Sequence, residues 1–217
     1  MAAGSHTSRM TRLLGAFRRE RNGLVADTMH YDGARYGLNY GVSLPTVRSL
    51  VRENEPIRDE AFARFLVSQQ VRCLQLAALH LADPTALVDS SVADFWLSKL
   101  QNSELAEEAA YALLVRTATL DELLERALNL QTPLYARYAL LLAAARQTTP
   151  SVKWLHPTLQ LLQAEDHRLI RQAVTTLWAQ IANSDETQKR VVLEHLSVLG
   201  TTPSECYLKE ELAWRIL

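Results

Sequence analysis

Three carboxylates lie close together in one stretch of this chain and could take part in chemistry. Glu104, Glu107 and Glu108 fall within five residues, in a segment with the composition of a helix. A fixed carboxylate can stabilise positive charge that develops on a substrate as a bond breaks. Glu104 and Glu108 are also four residues apart and therefore share one helix face, which is equally typical of a solvated acidic surface. Both interpretations stay open at this point.

The histidines and cysteines indicate neither a metal site nor a cofactor. Four histidines lie far apart in the chain and share no metal-ligand spacing: His80, His156, His167 and His195. The two cysteines, Cys73 and Cys206, are isolated and form no C-x-x-C pair. The sequence also contains no G-x-S-x-G motif, no phosphate-binding glycine-rich loop and no nucleotide fingerprint. We therefore expect no bound metal and no cofactor.

Charge is distributed unevenly along the 217 residues, although the formal net charge is only −1. Residues 1–52 contain eight arginines against three acidic residues, a net charge of +5, and residues 53–217 have a net charge of −6. A basic amino-terminal portion on an acidic body is a possible phosphate-binding surface. It is also what an amphipathic first helix with a solvated arginine face would produce.

A recurring Ala- and Leu-rich helix pattern must position these groups. Taking Ala78, Ala110, Ala139, Ala173 and Ala213 as anchors, the pattern recurs after 32, 29, 34 and 40 residues. Second helices are predicted between the anchors, at residues 92–100, 119–128, 155–162 and 187–199. A pair of helices every ~30–47 residues is typical of a helical solenoid, whose units bury their apolar faces against one another. We therefore predict an all-α fold, a right-handed α-α superhelix of eleven to thirteen helices without a convincing strand, in which the anchors at 78, 110, 139 and 173, with Ala77, are buried.

The pattern also defines the expected domain organisation. Residues 7–217 are predicted to form a single helical repeat domain, with amino-terminal helices and the basic portion in 7–52 and the repeats in 53–217. Residues 1–6 are expected to be a disordered or tag-derived end. No apolar run approaches the ~18 residues that a membrane span needs, and no signal-peptide layout is present, so a cytoplasmic protein is expected.

Four segments resemble bacterial DNA alkylation repair proteins, the alkylpurine DNA glycosylases built from HEAT-like repeats. The segment GVSLPTVRSL at 41–50 is similar to the Gly-aliphatic-x-x-Pro-x-x-Arg-x-Leu stretch that opens the solenoid in that family. The other three follow in the family's order: RCLQLAAL at 72–79, LYARYA at 134–139 and LIRQAV at 169–174. Together they touch most of the chain. The resemblance implies a HEAT-like fold and a basic concave surface that holds the DNA backbone.

The resemblance does not extend to the catalytic motif of these enzymes. Their Trp-Trp-Asp-x-x-Asp run falls on NSELAE at 102–107, so the aromatic pair is replaced by Asn102 and Ser103. The final carboxylate, which stabilises the charged sugar as the base leaves, becomes Ala106 or Glu107, depending on a one-residue choice of alignment. A further family Trp falls at Thr176, and Trp178 lies ~200° around the helix from that position. We therefore expect Trp178 in the core and little or no base excision, with Glu107 as the one candidate catalytic residue.

Two classes of function follow from the sequence. The first is a DNA alkylation repair-like protein that binds duplex or branched DNA on its concave face, with phosphate contacts from Arg48, Lys99, Arg137 and Arg171. Of these, Arg137 matches the family's arginine that begins a central repeat helix and supports the site. The alternative is a protein-protein interaction scaffold, favoured by the acidic residues of 53–217. No membrane partner is expected.

Overall fold

The chain folds into α-helices connected by short loops. The computed structural model describes residues 2–31, 36–129 and 131–216. Within those ranges there are thirteen α-helices and no strand, and the only β-type pairing is an isolated parallel bridge between Leu38 and Val71. The predicted all-α class and the number of helices are confirmed.

Two compact units divide the chain, one up to Leu113 and the other from Leu114 onward. The first unit contains α1 (Ala2–Arg19), α2 (Gly23–Tyr31), α3 (Leu44–Asn54), α4 (Glu60–Val67), α5 (Arg72–Leu81), α6 (Ser90–Ser98) and α7 (Ser103–Ala112). The second contains α8 (Leu120–Ala127), α9 (Leu134–Ala145), α10 (Leu155–Ala164), α11 (Arg168–Ala182), α12 (Glu186–Ser197) and α13 (Pro203–Ile216). Short 3₁₀ helices lie at Pro84–Val88, Leu114–Arg116 and Val152–Trp154. The single domain at 7–217 stays a prediction.

Each unit contains a row of neighbouring helices. In the first unit α3 packs on α5 and α5 packs on α7, while α4 covers α5 from the side. In the second unit α9, α11 and α13 pack in the same sequential manner, with α8 against α9 and with α10 and α12 against α11. Helices that are two apart in the sequence are therefore neighbours, as in the stacked helix pairs of repeat proteins.

Capping residues mark the beginnings of three helices of the first unit. Ser43 caps α3 and accepts a hydrogen bond from the Thr46 amide at 3.3 Å, with Pro45 in the first turn. Asp59 caps α4, and Asn102 caps α7 by accepting from the Leu105 amide at 2.9 Å. Such caps satisfy amides that have no partner inside the helix and contribute about 1 kcal/mol each.

Small residues allow the helices of each row to approach closely. The alanines at 77, 78, 110, 139 and 173 are all fully buried, as predicted. Ala213 is exposed on α13, so the last anchor does not share the packing of the earlier ones. Trp178 is fully buried as predicted, and its indole Nε1 donates a hydrogen bond to Thr158 Oγ1 at 2.9 Å.

The loop at residues 36–42 joins α2 to α3 and depends on one glycine. Gly41 adopts a φ of 67°, and a Cβ at this position would lie 1.8 Å from the carbonyl oxygen of Asn22. Only glycine permits both this backbone conformation and this close approach.

The amino-terminal helix α1 begins at Ala2, and the His6 ring lies 5.4 Å from the Phe62 ring. The disordered or tag-derived end expected for residues 1–6 stays a prediction. In the part of the chain that the structure describes, no helix is long and apolar enough to cross a membrane.

Candidate nucleic-acid interface

The Glu108 carboxylate joins all three helices of the row in the first unit. Its side chain is only 1% exposed. Arg48 of α3 donates to it twice, from Nε at 2.9 Å and from Nη2 at 2.6 Å, and His80 of α5 hydrogen-bonds to it through Nε2. The Arg48 guanidinium also lies 4.3 Å from the centre of the Tyr111 ring. We call Arg48, His80 and Glu108 the Glu108 cluster.

Opposing effects set the pKa of Glu108, and the hydrogen bonds outweigh the burial. Burial favours the neutral acid and raises the pKa, whereas hydrogen bonds from His80 and Arg48, together with the charges of these groups, lower it. The net result is a pKa below the ordinary value. Glu108 is therefore ionised at neutral pH, and the Arg48 charge is largely neutralised inside the protein.

A second cluster surrounds Glu104, one turn earlier on α7. Arg72 of α5 pairs with both carboxylate oxygens, with Nε at 2.8 Å from Oε2, and its Nη1 donates to the Val42 carbonyl at 2.6 Å. The Tyr36 hydroxyl donates to the same Oε2 at 2.5 Å. Burial and the Glu104 charge raise the pKa of Tyr36, which therefore remains a protonated donor. We call Tyr36, Arg72 and Glu104 the Glu104 cluster.

These two clusters correct one interpretation of the sequence. A solvated acidic face formed by Glu104 and Glu108 is wrong, because both carboxylates pair with arginines of neighbouring helices. The candidate catalytic residue lies elsewhere on the same helix: Glu107 is exposed, while the adjacent Ala106 is fully buried. Where the aromatic pair was expected, Asn102 is a helix cap that also accepts from the Tyr36 hydroxyl at 3.2 Å.

The four arginine and lysine residues predicted to contact DNA have different surroundings. Arg48 is 35% exposed within the Glu108 cluster, and Lys99 is half-buried with its ammonium 5.0 Å from the centre of the Phe95 ring. In the second unit, Arg171 of α11 is 27% exposed, and its Nε lies 3.3 Å from Asp166 Oδ1. Of the four, Arg48 is the one that pairs with a carboxylate of α7, that of Glu108. The DNA contacts of all four residues stay predictions.

Arg137 is buried at the start of α9 and is incompletely paired. Its side chain is 5% exposed, and Nη1 lies 2.7 Å from Glu165 Oε2. The angles of this ion pair do not suit a hydrogen bond, so Nε and Nη1 have no hydrogen-bond acceptor among the residues that the structure describes. Buried donors without an acceptor are costly, which makes an added oxygen ligand favourable there.

Sequence reasoning did not single out Arg72 and Tyr36. The repeat spacing contained a signal for these pairs. Arg72 and Glu104 are 32 residues apart and His80 and Glu108 are 28 apart, so each pair occupies similar positions in successive repeats. Among the residues described, no group of three His, Cys, Asp or Glu side chains gathers in a way that could hold a metal ion.

Comparison with known proteins identifies the fold. No family model and no curated protein matches the chain. A solved structure does match, with a TM-score of 0.70 over 95% of both chains and 13% sequence identity. It is described as belonging to a new family of proteins related to the HEAT-like repeat DNA glycosylases, with affinity for branched DNA structures. This chain has a HEAT-like repeat fold.

The match confirms the fold class predicted from the repeat pattern, and it agrees with the resemblance to HEAT-like repeat proteins. The low identity agrees with the divergence seen in the NSELAE segment. At 13% identity, the likeness to this HEAT-like protein establishes the architecture, and function has to be argued from the residues.

The Glu108 cluster predicts a pH-dependent contribution to stability. Replacing Glu108 with Gln leaves Arg48 without its counter-charge, and we expect the free energy of unfolding to fall by about 1–3 kcal/mol at neutral pH. Because the folded pKa of Glu108 is lowered, its contribution is complete above the ordinary value of 4.5 and is lost as the pH falls below it. Urea unfolding between pH 7 and pH 3 measures both effects.

Glu122→Gln is the matched control, since Glu122 is an exposed carboxylate. It should change the free energy of unfolding by less than about 0.5 kcal/mol. Equal stability of Glu108→Gln and the wild type at neutral pH, with the same acid dependence, would show that the cluster does not stabilise the row.

Proposed function

We propose that this protein binds DNA through the phosphate backbone and does not excise alkylated bases. The observation that carries the proposal is the HEAT-like fold, matched over 95% of both chains by a protein described as having affinity for branched DNA. Repeat proteins of this kind present extended surfaces, and backbone contacts can position such a surface on DNA without reading its sequence. A DNA-binding role agrees with the cytoplasmic location expected from the sequence.

Exposed arginines of the amino-terminal portion supply the first phosphate contacts. Arg19, Arg21 and Arg52 are exposed and form no ion pair with another described residue. In contrast, Arg9 is held by Glu55 and Asp59, and its charge is neutralised within the fold. The net charge of +5 on residues 1–52 is therefore partly available to a polyanion.

The four basic residues that the sequence predicted to contact DNA have two roles in this proposal. Lys99 and Arg171 are accessible enough to reach a phosphate directly. Arg137 is 5% exposed and its Nη1 is paired with Glu165 Oε2 at 2.7 Å, so it contacts a phosphate only if this ion pair opens. Arg48 is partly exposed, but its bidentate pair with Glu108 makes it a positioning group for the row before any contact with DNA.

Branched DNA fits this mode of binding better than a uniform duplex. Branch points are already bent and locally unstacked. A protein that distorts DNA to increase its backbone contacts therefore needs less deformation energy at a branch point than in a uniform duplex. We therefore propose that branched and duplex DNA both bind, with the branched form bound more tightly.

The test is the salt dependence of binding in a pair of matched variants. Each phosphate contact contributes about −0.9 to the slope of log K against log salt. Replacing Arg19 and Arg21 with Ala together should make the slope less negative by about 2. Fluorescence anisotropy with a labelled four-way junction, at several salt concentrations, measures the slope.

Glu20→Gln is the control in the same segment, because it removes a charge of opposite sign from an exposed position. It should leave the affinity unchanged or raise it. Absence of binding to any DNA at low salt and tens of micromolar protein would overturn the proposal.

The carboxylates of α7 support the absence of base excision. Excision generates positive charge on the sugar, which an uncompensated carboxylate stabilises electrostatically. Glu104 and Glu108 are both compensated by arginines, and Glu107 lies on the exposed side of the helix without the aromatic pair of the resembled enzymes. A misplacement of about 1 Å can reduce a rate on the order of a hundredfold.

Incubation with alkylated duplex DNA should accordingly release no 3- or 7-alkylated purine above the uncatalysed rate. Glu107→Gln is measured beside the wild type, and released bases are quantified by chromatography. Release by the wild type that collapses in Glu107→Gln would make this chain an enzyme with a shifted carboxylate. Release that the substitution leaves unchanged would assign the chemistry to another residue.

One observation favours the scaffold alternative. Trp214 of α13 is 91% exposed, and Leu193, Leu196 and Ile216 line a shallow groove of about 300 Å³ between α12 and α13. An exposed aromatic side chain and an apolar groove on the same pair of helices are typical of protein-binding surfaces. A chain that binds no DNA under the conditions above is best explained as such a scaffold.

A further inference from the structure

A polar cavity of about 250 Å³ in the first unit adjoins the Glu104 cluster and shares Tyr36 with it. It lies between the loop before α3, the α4–α5 connection and the start of α7. Its polar lining consists of Tyr36, Ser68, Gln70, Gln75, Lys99, Gln101 and Asn102. We call this cavity the amide pocket.

Three of its amides are available to a ligand. Gln70, Gln75 and Gln101 make no side-chain hydrogen bond with another described residue. Each amide offers both a donor and an acceptor, so three of them in one cavity form a dense set of unused hydrogen-bonding groups. By contrast, the Asn102 amide oxygen is already used by the Leu105 amide and the Tyr36 hydroxyl.

The backbone around the amide pocket is held firmly. The Leu38 amide donates to the Gln70 carbonyl at 2.9 Å, and the Arg72 amide donates to the Leu38 carbonyl at 2.9 Å. Gly37 packs directly on this connection, because a Cβ there would lie 2.7 Å from the Gln70 carbonyl oxygen. The Tyr36 hydroxyl is fixed by Glu104 at 2.5 Å. The backbone of the pocket is therefore preformed, and only the glutamine side chains have to be ordered when a ligand binds.

We infer that the amide pocket receives one unpaired nucleotide of bound DNA. Amide side chains present the paired donor and acceptor groups that match the edges of nucleobases, as in the Gln and Asn contacts to adenine. Val67 and Leu105 also line the cavity and supply apolar contacts for the faces of a base. Lys99 adds a positive charge for the phosphate of the same nucleotide.

Size and charge exclude other classes of ligand. The volume of about 250 Å³ suits a single nucleobase and is below the range of about 300–1,000 Å³ that is typical of pockets for drug-sized molecules. A cationic ligand finds no free carboxylate, because Glu104 is paired with Arg72. An apolar ligand would displace the water that solvates the three amides without replacing its hydrogen bonds, which costs free energy. The base of a nucleotide is small enough, carries no positive charge and can hydrogen-bond to the amides, so it satisfies all three conditions.

This inference rests on the proposed DNA binding and makes it more specific. Junctions, flaps and bulges contain bases that are unpaired or easily unpaired, so insertion of such a base costs little. The amide pocket would then give branched DNA an advantage over duplex DNA that backbone contacts alone do not provide.

The experiment compares a duplex with the same duplex carrying one unpaired 2-aminopurine. The wild type should bind the second DNA at least about tenfold more tightly, which corresponds to about 1.4 kcal/mol. The fluorescence of the 2-aminopurine should change at saturation. In the double variant Gln75→Leu, Gln101→Leu the preference should fall to about twofold or less, while the affinity for the paired duplex is retained.

Gln160→Leu is the matched control, because it removes an exposed amide of α10 outside the pocket. It should keep the full preference. The single variant Gln101→Ala, which changes an exposed residue between helices, gives the same readout if the double variant unfolds.

The outcomes separate this inference from the proposed function. Retained duplex binding without a preference for the unpaired nucleotide would overturn the amide pocket and leave DNA binding intact. Loss of all DNA binding would overturn the proposed function. The pocket is then judged with deoxyadenosine monophosphate by saturation-transfer NMR: binding that the double variant abolishes supports it, and no binding refutes it.

Discussion

Two carboxylates on one helix, Glu104 and Glu108, hold the row of helices in the first unit together. Each lies on α7 and pairs with an arginine of another helix, Arg72 of α5 or Arg48 of α3. Removing either partner from such a pair leaves a charge that is poorly solvated, which costs far more than an exposed ion pair contributes. The positions of α3, α5 and α7 are therefore coupled through charge as well as through apolar packing.

This coupling determines which charges remain for function. Arg48 and Arg72 neutralise the α7 carboxylates, so neither the acids nor these arginines act on a ligand as isolated charges. The remaining cations lie elsewhere, with Arg19 and Arg21 exposed at the end of α1 and the half-buried Lys99 in the wall of the amide pocket. The surface that we assign to DNA therefore does not use the paired charges of the two clusters. The same pairing explains why we propose DNA binding without base excision.

The repeat pattern predicted the fold well because it depends on local and periodic features. Buried alanines such as Ala110 and Ala139 follow from the anchor spacing. The pairing of Glu108 could not be predicted in this way, because its partners lie 28 and 60 residues away on other helices. An i,i+4 pattern does not distinguish a solvated face from a buried one when the partner charges come from distant segments.

Amide hydrogen exchange, with and without a four-way DNA junction at low salt, tests the central claim most directly, since protection reports where the DNA lies. Our account predicts slower exchange in residues 18–25, 67–71 and 99–105, which contain the exposed arginines and the walls of the amide pocket. The remaining helices should exchange as in the free protein, apart from the first turns of α9 and α11. Slower exchange confined to α12 and α13 around Trp214, or no change at saturating DNA, would contradict it.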